Sequence, residues 1–244
     1  MRAGGTIVAG GHVLHVAGDV GGPCLLVHGA GQGAAVLEEV AAQVPGAWTV
    51  DLPGHGASPG PGLRDVGAYA DVVLRLVESV APEGLYLGGH SMGGAVALTA
   101  ALAHPQGLQG LILMASSARL RVHPDLLAAL RDGPMPPSFR AMLFAPESAA
   151  LETRLPEGDA EVELGDYLAC DAFDVRDRLD EIHLPALVLV GDLDRMTPPE
   201  RARSLAQGLG AEFETIPGAG HMLPLEAPTA VAAAIRKFLA RGER

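Results

Sequence analysis

The chain has 244 residues and a formal net charge of −12 at pH 7, and 48% of its residues are apolar. This length fits one domain with a sizeable core. The acidic balance argues against nucleic acid or an anionic membrane as a partner. No apolar run approaches the roughly 18 residues that a membrane span requires.

The cysteines and the N-terminus bear on where the protein works. Cys24 and Cys170 do not form a pattern typical of a disulfide framework. The first residues lack a charged segment followed by an apolar run, so no signal peptide is predicted. We therefore expect a cytoplasmic protein with a small-molecule partner.

Short apolar runs and amphipathic segments alternate along most of the chain. In chain order, the predicted elements are strands at 6–9, 12–16 and 24–27, a helix at 34–44, a strand at 48–51, a helix at 65–80, a strand at 85–88, a helix at 92–103, strands at 108–114 and 186–190, a helix at 199–207, a strand at 212–216 and a helix at 227–240. Such alternation predicts an α/β fold whose mainly parallel sheet is covered by helices on both faces.

The alternation stops between about residues 117 and 174. This interval contains six prolines, short helix-like pieces and no convincing strand. We predict a helical insertion at 118–174 that interrupts one core, formed by residues 1–117 and 175–244.

Residues 88–94 (GGHSMGG) lie between a predicted strand and a predicted helix. The pattern Gly89-x-Ser91-x-Gly93 in this setting is typical of a nucleophile elbow, a tight turn that exposes a serine. The turn also places Ser91 at a helix N-terminus, where free N–H groups favour negative charge. Ser91 is therefore the candidate nucleophile.

An acid and a base follow in suitable places. Residues 191–198 (GDLDRMTP) follow one predicted strand, and His221 follows the last one. In a parallel sheet these loops meet Ser91 at the same edge. The order Ser, Asp, His matches that of the α/β-hydrolases.

Taken together, the motifs resemble the α/β-hydrolase superfamily, in its capped, serine-nucleophile, esterase-like branch. The segments that carry the resemblance are 28–31 (HGAG), 51–58 (DLPGHGAS), 89–94, 191–198 and 220–221. The resemblance implies an α/β-hydrolase fold with a helical cap after the sixth strand.

The resemblance also implies roles for individual residues. Ser91, Asp194 and His221 would form the catalytic triad. Asp194 is chosen over Asp192 by the family's spacing from Gly191. The backbone N–H groups of Ala30 and Met92 would form the oxyanion hole.

The substrate pocket is less defined by the sequence. Candidate lining residues are Phe139, Met142, Phe144 and Met222. Arg119, Arg121 and Arg140 are candidates for binding an acidic substrate group, and a solvated surface is the alternative reading of all three.

The function predicted from these residues is a serine hydrolase with an acyl-enzyme intermediate, a carboxylesterase of small to medium esters. Alternatives are a C–C bond hydrolase of the same fold and a slow-turnover ligand receptor. A remote alternative is an NAD-dependent enzyme, because Gly29-x-Gly31-x-x-Ala34 follows a strand and Asp51 ends the next one. No H-E-x-x-H motif occurs, and we expect neither metal nor cofactor.

Overall fold

A computed structural model describes residues 4–80, 84–103, 106–156 and 158–242. Residues 1–3, 81–83, 104–105 and 243–244 of the predicted core, and residue 157 of the predicted insertion, lie outside the described residues. None of the helices within the described ranges is both long and apolar enough to cross a bilayer.

An eight-stranded sheet forms the centre, with strand order β1-β2-β4-β3-β5-β6-β7-β8. The strands are β1 (Gly5–Ala9), β2 (His12–Gly18), β3 (Cys24–Val27), β4 (Ala47–Val50), β5 (Leu85–His90), β6 (Leu108–Met114), β7 (Ala186–Gly191) and β8 (Glu212–Ile216). The pairs β1–β2 and β2–β4 are antiparallel, and the other neighbours are parallel. The predicted fold class, a mainly parallel α/β sheet, is confirmed.

The central strands are buried along their whole length. Every residue of β3, β5 and β7 is buried. A strand covered on both faces needs a nearly continuous apolar run instead of an alternating one, and CLLV in β3 and ALVLVG in β7 have that composition. The segments at their carboxyl ends carry Ala30, Ser91 and Asp194, and the loop after β8 carries His221.

The core helices are α1 (Glu38–Ala41), α2 (Val66–Val80), α3 (Met92–Leu102), α7 (Pro199–Leu209), α8 (Leu223–Glu226) and α9 (Pro228–Gly242). Most boundaries agree with the sequence-based expectation to within two residues. The predicted helix at 34–44 is wrong in part. It is a 3-10 turn over Ala34–Leu37 followed by the single turn α1. Pro45 disfavours helical geometry at the residue before it, so the helix cannot extend to residue 44.

The segment between β6 and β7 contains short helices. They are α4 (Pro124–Asp132), α5 (Pro137–Arg140), a 3-10 helix at Pro146–Arg154, α6 (Ala160–Ala172) and a 3-10 helix at Arg176–Glu181. Three of them begin with a proline, which the first helical turn tolerates because its N–H would be unpaired there. Among the described residues of this segment, the only β pairing is an isolated bridge between Arg119 and Asp174.

Candidate active site

Ser91 lies in a strained turn between β5 and α3. Its backbone has φ 53° and ψ −114°, a conformation that residues other than glycine rarely adopt. A Cβ at Gly89 would lie 2.0 Å from the carbonyl carbon of Gly93, and one at Gly93 would lie 2.2 Å from the oxygen of Val27. The two glycines are therefore required for the strand, the turn and the helix to pack this closely.

The structure brings Ser91, His221 and Asp194 into one chain of hydrogen bonds. The Oγ atom of Ser91 lies 3.0 Å from Nε2 of His221. On the other side of the ring, Nδ1 lies 3.0 and 3.2 Å from the two carboxylate oxygens of Asp194. With the proton on Nδ1 held by this carboxylate, Nε2 is free to accept the serine proton.

Asp194 is itself held in place by the backbone. Its Oδ1 atom accepts hydrogen bonds from the N–H groups of Met196 (2.9 Å) and Thr197 (2.8 Å). The side chain is buried, so these donors replace solvation that the carboxylate loses. The loop after β7 thereby fixes the carboxylate toward His221.

Asp192, the alternative acid, has a different contact. Its Oδ1 atom accepts a hydrogen bond from the N–H of Gly218 at 2.7 Å, and the residue is exposed. It joins the loop after β7 to the loop after β8 and makes no contact with the imidazole of His221. The structure therefore places Asp194, and not Asp192, beside the histidine.

His90 supports the backbone of His221. Its Nε2 lies 2.8 Å from the carbonyl oxygen of His221. A carbonyl oxygen only accepts, so this nitrogen carries the proton. Burial, with a contribution from neighbouring His221, lowers the pKa of His90 to about 3, so the ring is neutral at pH 7.

The N–H groups of Ala30 and Met92 are unpaired. Neither has a hydrogen-bond acceptor within the part of the chain that the structure describes. The residues on either side of Ala30 are fixed, because Gly29 N–H donates to Oε1 of Gln32 at 3.2 Å and Gly31 N–H donates to Oδ2 of Asp166 at 2.9 Å. Met92 opens α3, whose first N–H groups have no partner within the helix.

Asp166, on α6, is a site residue that sequence reasoning did not single out. Its side chain is 0% exposed and also accepts hydrogen bonds from Nε2 of His55 and the hydroxyl of Tyr69, both at 2.7 Å. Burial alone lowers the pKa of His55, but the hydrogen bond and charge of Asp166 outweigh it and raise this pKa overall. The same helix also contains Glu161, Glu163 and Asp171, so no signal in the sequence distinguished Asp166 from them.

His28 shapes the neighbouring loop. Its Nε2 accepts from the N–H of Leu52 at 3.1 Å, and its Nδ1 donates to the oxygen of Gly29 at 2.8 Å. Burial, followed by the proximity of His55, lowers the pKa of His28 to about 4. A neutral ring thus connects the loop after β3 to the loop after β4.

A cavity of about 650 Å³ opens above Ser91 and His221. Phe139 and Met142 are among its lining residues, as is Ala30. The predictions for Phe144 and Met222 are wrong, since neither side chain lines this cavity.

Both excluded side chains are packed into the interior. Phe144 is 1% exposed and belongs to the hydrophobic core. Met222 is fully buried, and its Sδ accepts a hydrogen bond from Nε2 of Gln32 at 3.3 Å. Both side chains point into the core. Phe144 is close in sequence to Met142, and Met222 to His221, but closeness in sequence to a residue of the cavity does not determine where a side chain points.

The three candidate arginines have different surroundings in the structure. Arg119 is paired with Asp174 at 3.6 Å, and Arg140 with Glu152 at 3.7 Å. Arg121 lines the cavity. The lining also includes Arg195 and Arg201, which sequence reasoning did not identify.

The dinucleotide-binding alternative conflicts with the contacts of Asp51. Its carboxylate accepts from the N–H groups of Ala34 (2.6 Å) and Ala57 (3.0 Å) and lies 3.0 Å from Nδ1 of His15. The residue is buried with these partners, so it cannot receive a ribose hydroxyl. No group of three or more potential metal ligands occurs among the described residues.

Comparison with known proteins identifies the family of this chain. Residues 24–234 match the model of the Alpha/beta hydrolase family. The chain belongs to the α/β-hydrolase family. Within it, pimeloyl-[acyl-carrier protein] methyl ester esterase of Neisseria meningitidis serogroup B is 31% identical, over 90% of this chain and 93% of that protein.

Solved α/β-hydrolases superpose over nearly the whole chain. A thermophilic esterase from Thermogutta terrifontis, solved with malate bound, has a TM-score of 0.86 and 26% identity over 100% of both chains. The enol-lactonase from Burkholderia xenovorans has a TM-score of 0.84 and 22% identity over 97% of this chain and 100% of that one, which shows the fold alone. The Neisseria and Thermogutta proteins are esterases, which supports an α/β-hydrolase of the esterase type.

Proposed function

We propose that this α/β-hydrolase is a serine carboxylesterase that hydrolyses small to medium esters through an acyl-enzyme on Ser91. The observation that carries the proposal is the continuous chain of contacts from Ser91 Oγ to His221 Nε2 and from His221 Nδ1 to Asp194. A serine hydroxyl is a weak nucleophile at neutral pH and needs an adjacent base. His221 is at the distance that such a proton transfer requires.

The first half of the reaction follows from these positions. Ser91 Oγ attacks the ester carbonyl carbon while its proton passes to Nε2 of His221. The imidazolium is stabilised by Asp194, which stays ionised. His221 then gives the proton to the departing alkoxide, and the alcohol leaves an acyl group on Ser91.

Water completes the cycle. His221 takes a proton from a water molecule, whose oxygen attacks the acyl carbonyl, and returns the proton to Ser91 Oγ as the acid leaves. The tetrahedral intermediates of both halves carry an oxyanion. The unpaired N–H groups of Ala30 and Met92 are its donors, and such a donor typically contributes about 100-fold or more to the rate.

Residues 118–174 act in this proposal as a cap that sets substrate choice, while the chemistry belongs to the core. Leu126, Phe139 and Met142 of this segment line the cavity above Ser91. Apolar lining residues favour the alkyl or aryl parts of an ester over charged ones.

A labelling experiment tests the nucleophile. A fluorophosphonate probe should label the wild type and fail to label Ser91→Ala. The exposed serine variant Ser204→Ala, on α7, is the matched control and should be labelled normally. An adduct that mass spectrometry maps to another serine would refute the assignment.

Turnover assays then test the choice between Asp194 and Asp192 and the class of reaction. With p-nitrophenyl esters of graded chain length, Asp194→Asn should lower kcat by about 10⁴-fold, because His221 is then held in the wrong tautomer. Asp192→Asn should leave kcat within a few-fold. Faster turnover of a vinylogous diketone than of any ester would favour a C–C bond hydrolase. Tight ligand binding without ester turnover would favour a receptor.

A further inference from the structure

The cavity above Ser91 is basic in an acidic protein. Its lining includes the side chains of Arg121, Arg195 and Arg201 together with His123. None of the described residues that line it is an aspartate or a glutamate. The chain as a whole has a net charge of −12, so this local excess of positive charge is opposite in sign to the protein.

Arg195 is already engaged in holding the structure together. Its Nη2 donates to the carbonyl oxygens of Ala141 and Phe144, the latter at 3.2 Å. These contacts join the loop after β7 to the segment that follows α5. Arg195 therefore already links these two segments through Nη2, whereas the other two arginines make no such link.

Arg121 and Arg201 have no such engagement. Neither forms an ion pair or a side-chain hydrogen bond with any residue in the described ranges. Both residues are exposed, Arg121 before α4 and Arg201 in the first turn of α7. A guanidinium presents several N–H donors in one plane, which matches the geometry of a carboxylate or a phosphate.

The carboxylates near these arginines have other partners. Asp171 accepts a hydrogen bond from the N–H of Val122 at 3.0 Å. Asp125 lies 3.7 Å from Nδ1 of His123. Glu200, next to Arg201 in sequence, is exposed and is absent from the cavity lining. The two guanidinium groups are therefore open to an anion that enters from solvent.

We propose that this cavity takes esters whose non-reacting end carries an anionic group, a carboxylate or a phosphate, which Arg121 and Arg201 bind. The inference rests on the proposed esterase function and specifies its substrate class. Phe139 and Met142, which line the same cavity, offer apolar surface for the alkyl chain of such an ester. The cavity volume of about 650 Å³ is of the size that holds a small-molecule ligand.

Three methyl esters with the same chain of methylene groups provide the test. Monomethyl pimelate ends in a carboxylate, methyl 6-phosphonooxyhexanoate ends in a phosphate, and dimethyl pimelate is neutral. For the wild type, kcat/KM should be higher for at least one anionic ester than for the diester, counted per ester group. The anion that gives the higher value identifies the preferred end group.

The variants Arg121→Gln and Arg201→Gln should lower kcat/KM for the anionic esters by up to about fivefold each, the range of an exposed ion pair. The double variant should remove most of the preference, and the values for dimethyl pimelate should stay within about twofold of the wild type. Arg131→Gln, an exposed arginine on α4 outside the cavity lining, removes the same charge and should change nothing. Salt at about 0.5 M should weaken the wild-type preference by screening.

Two failures can be told apart. Equal kcat/KM for anionic and neutral esters, or a preference that survives in the double variant, would overturn the inference while diester turnover leaves the esterase proposal standing. Absence of turnover for every ester, together with unlabelled Ser91, would overturn both. As a readout independent of turnover, calorimetry on Ser91→Ala should show tighter binding of monomethyl pimelate than of the diester, and the Arg121→Gln and Arg201→Gln changes should remove the difference.

Discussion

Asp166 connects α6 to the loop of Gly31, beside the proposed oxyanion hole, and removing its carboxylate should cost much of the protein's stability. The side chain is fully buried and accepts hydrogen bonds from Gly31 N–H, His55 Nε2 and Tyr69 OH at 2.9, 2.7 and 2.7 Å. In Asp166→Ala all three donors lose their acceptor inside the protein. An unsatisfied buried donor costs about 1–3 kcal/mol, and breaking a buried pair typically costs about 3–5 kcal/mol.

We therefore expect Asp166→Ala to lower the free energy of unfolding by about 3–5 kcal/mol. In a chain of this size, 1 kcal/mol corresponds to about 2–4 °C, so Tm should fall by about 6–20 °C. Urea unfolding monitored by circular dichroism measures the change, provided that the m-value is unaltered. Asp171→Ala is the matched control, because Asp171 lies on the same helix, is exposed and accepts a hydrogen bond from one backbone N–H.

The same substitution should also reduce catalysis. Asp166 fixes the N–H of Gly31, next to Ala30, so its loss should lower kcat more than it raises KM. Asp166→Asn keeps the size and one acceptor oxygen and should recover part of both quantities. If Asp166→Ala is no more destabilising than Asp171→Ala, or if it changes KM alone, the role given to this carboxylate is wrong.

Two further predictions concern the cavity and the buried histidines. Phe139 lines the cavity, so Phe139→Ala should shift the preferred acyl chain length with little loss of stability. Phe144 is 1% exposed, so Phe144→Ala should lower the free energy of unfolding by about 3–5 kcal/mol and leave the preferred chain length unchanged. Equal chain-length profiles for both variants would contradict this expectation. Acid should destabilise the protein between about pH 6.5 and 4, because the pKa of His28 is lowered to about 4 and that of His90 to about 3. In that range the unfolded chain binds more protons than the folded one, so the free energy of unfolding falls as pH falls. Two such groups make the free energy of unfolding fall by about 2.7 kcal/mol for each pH unit in this range. His90→Gln should reduce this slope, which urea unfolding at several pH values measures, and the exposed control His183→Gln should leave it unchanged. Equal slopes for the two variants would refute the assignment.

Structural features that depend on short stretches of sequence could be predicted well. The alternation of strands and helices gave the parallel sheet because each element has its own apolar pattern. Ser91, Asp194 and His221 lie in three loops that follow strands, and parallel strands bring such loops to one edge. Gly89 and Gly93 marked the elbow because only glycine allows the close approach seen there.

Features that depend on the direction of a side chain could not be predicted. Met142 and Phe144 are two residues apart, yet one lines the cavity and the other is in the core. Arg119 and Arg121 are likewise two apart, yet the first pairs with Asp174 and the second lines the cavity. Both members of the first pair are apolar and both members of the second are basic, so the residue type does not show which member lines the cavity.

Asp166 shows why part of a site cannot be predicted from the sequence alone. Its three donors come from positions 31, 55 and 69, each far from it in sequence. No local spacing links them, whereas Asp194 and His221 each follow a strand in a recognisable loop. A buried carboxylate that joins distant loops becomes evident only when the sheet has placed those loops together. The residues proposed to perform the chemistry were therefore easier to predict than the residue that holds the loop of Ala30 in position.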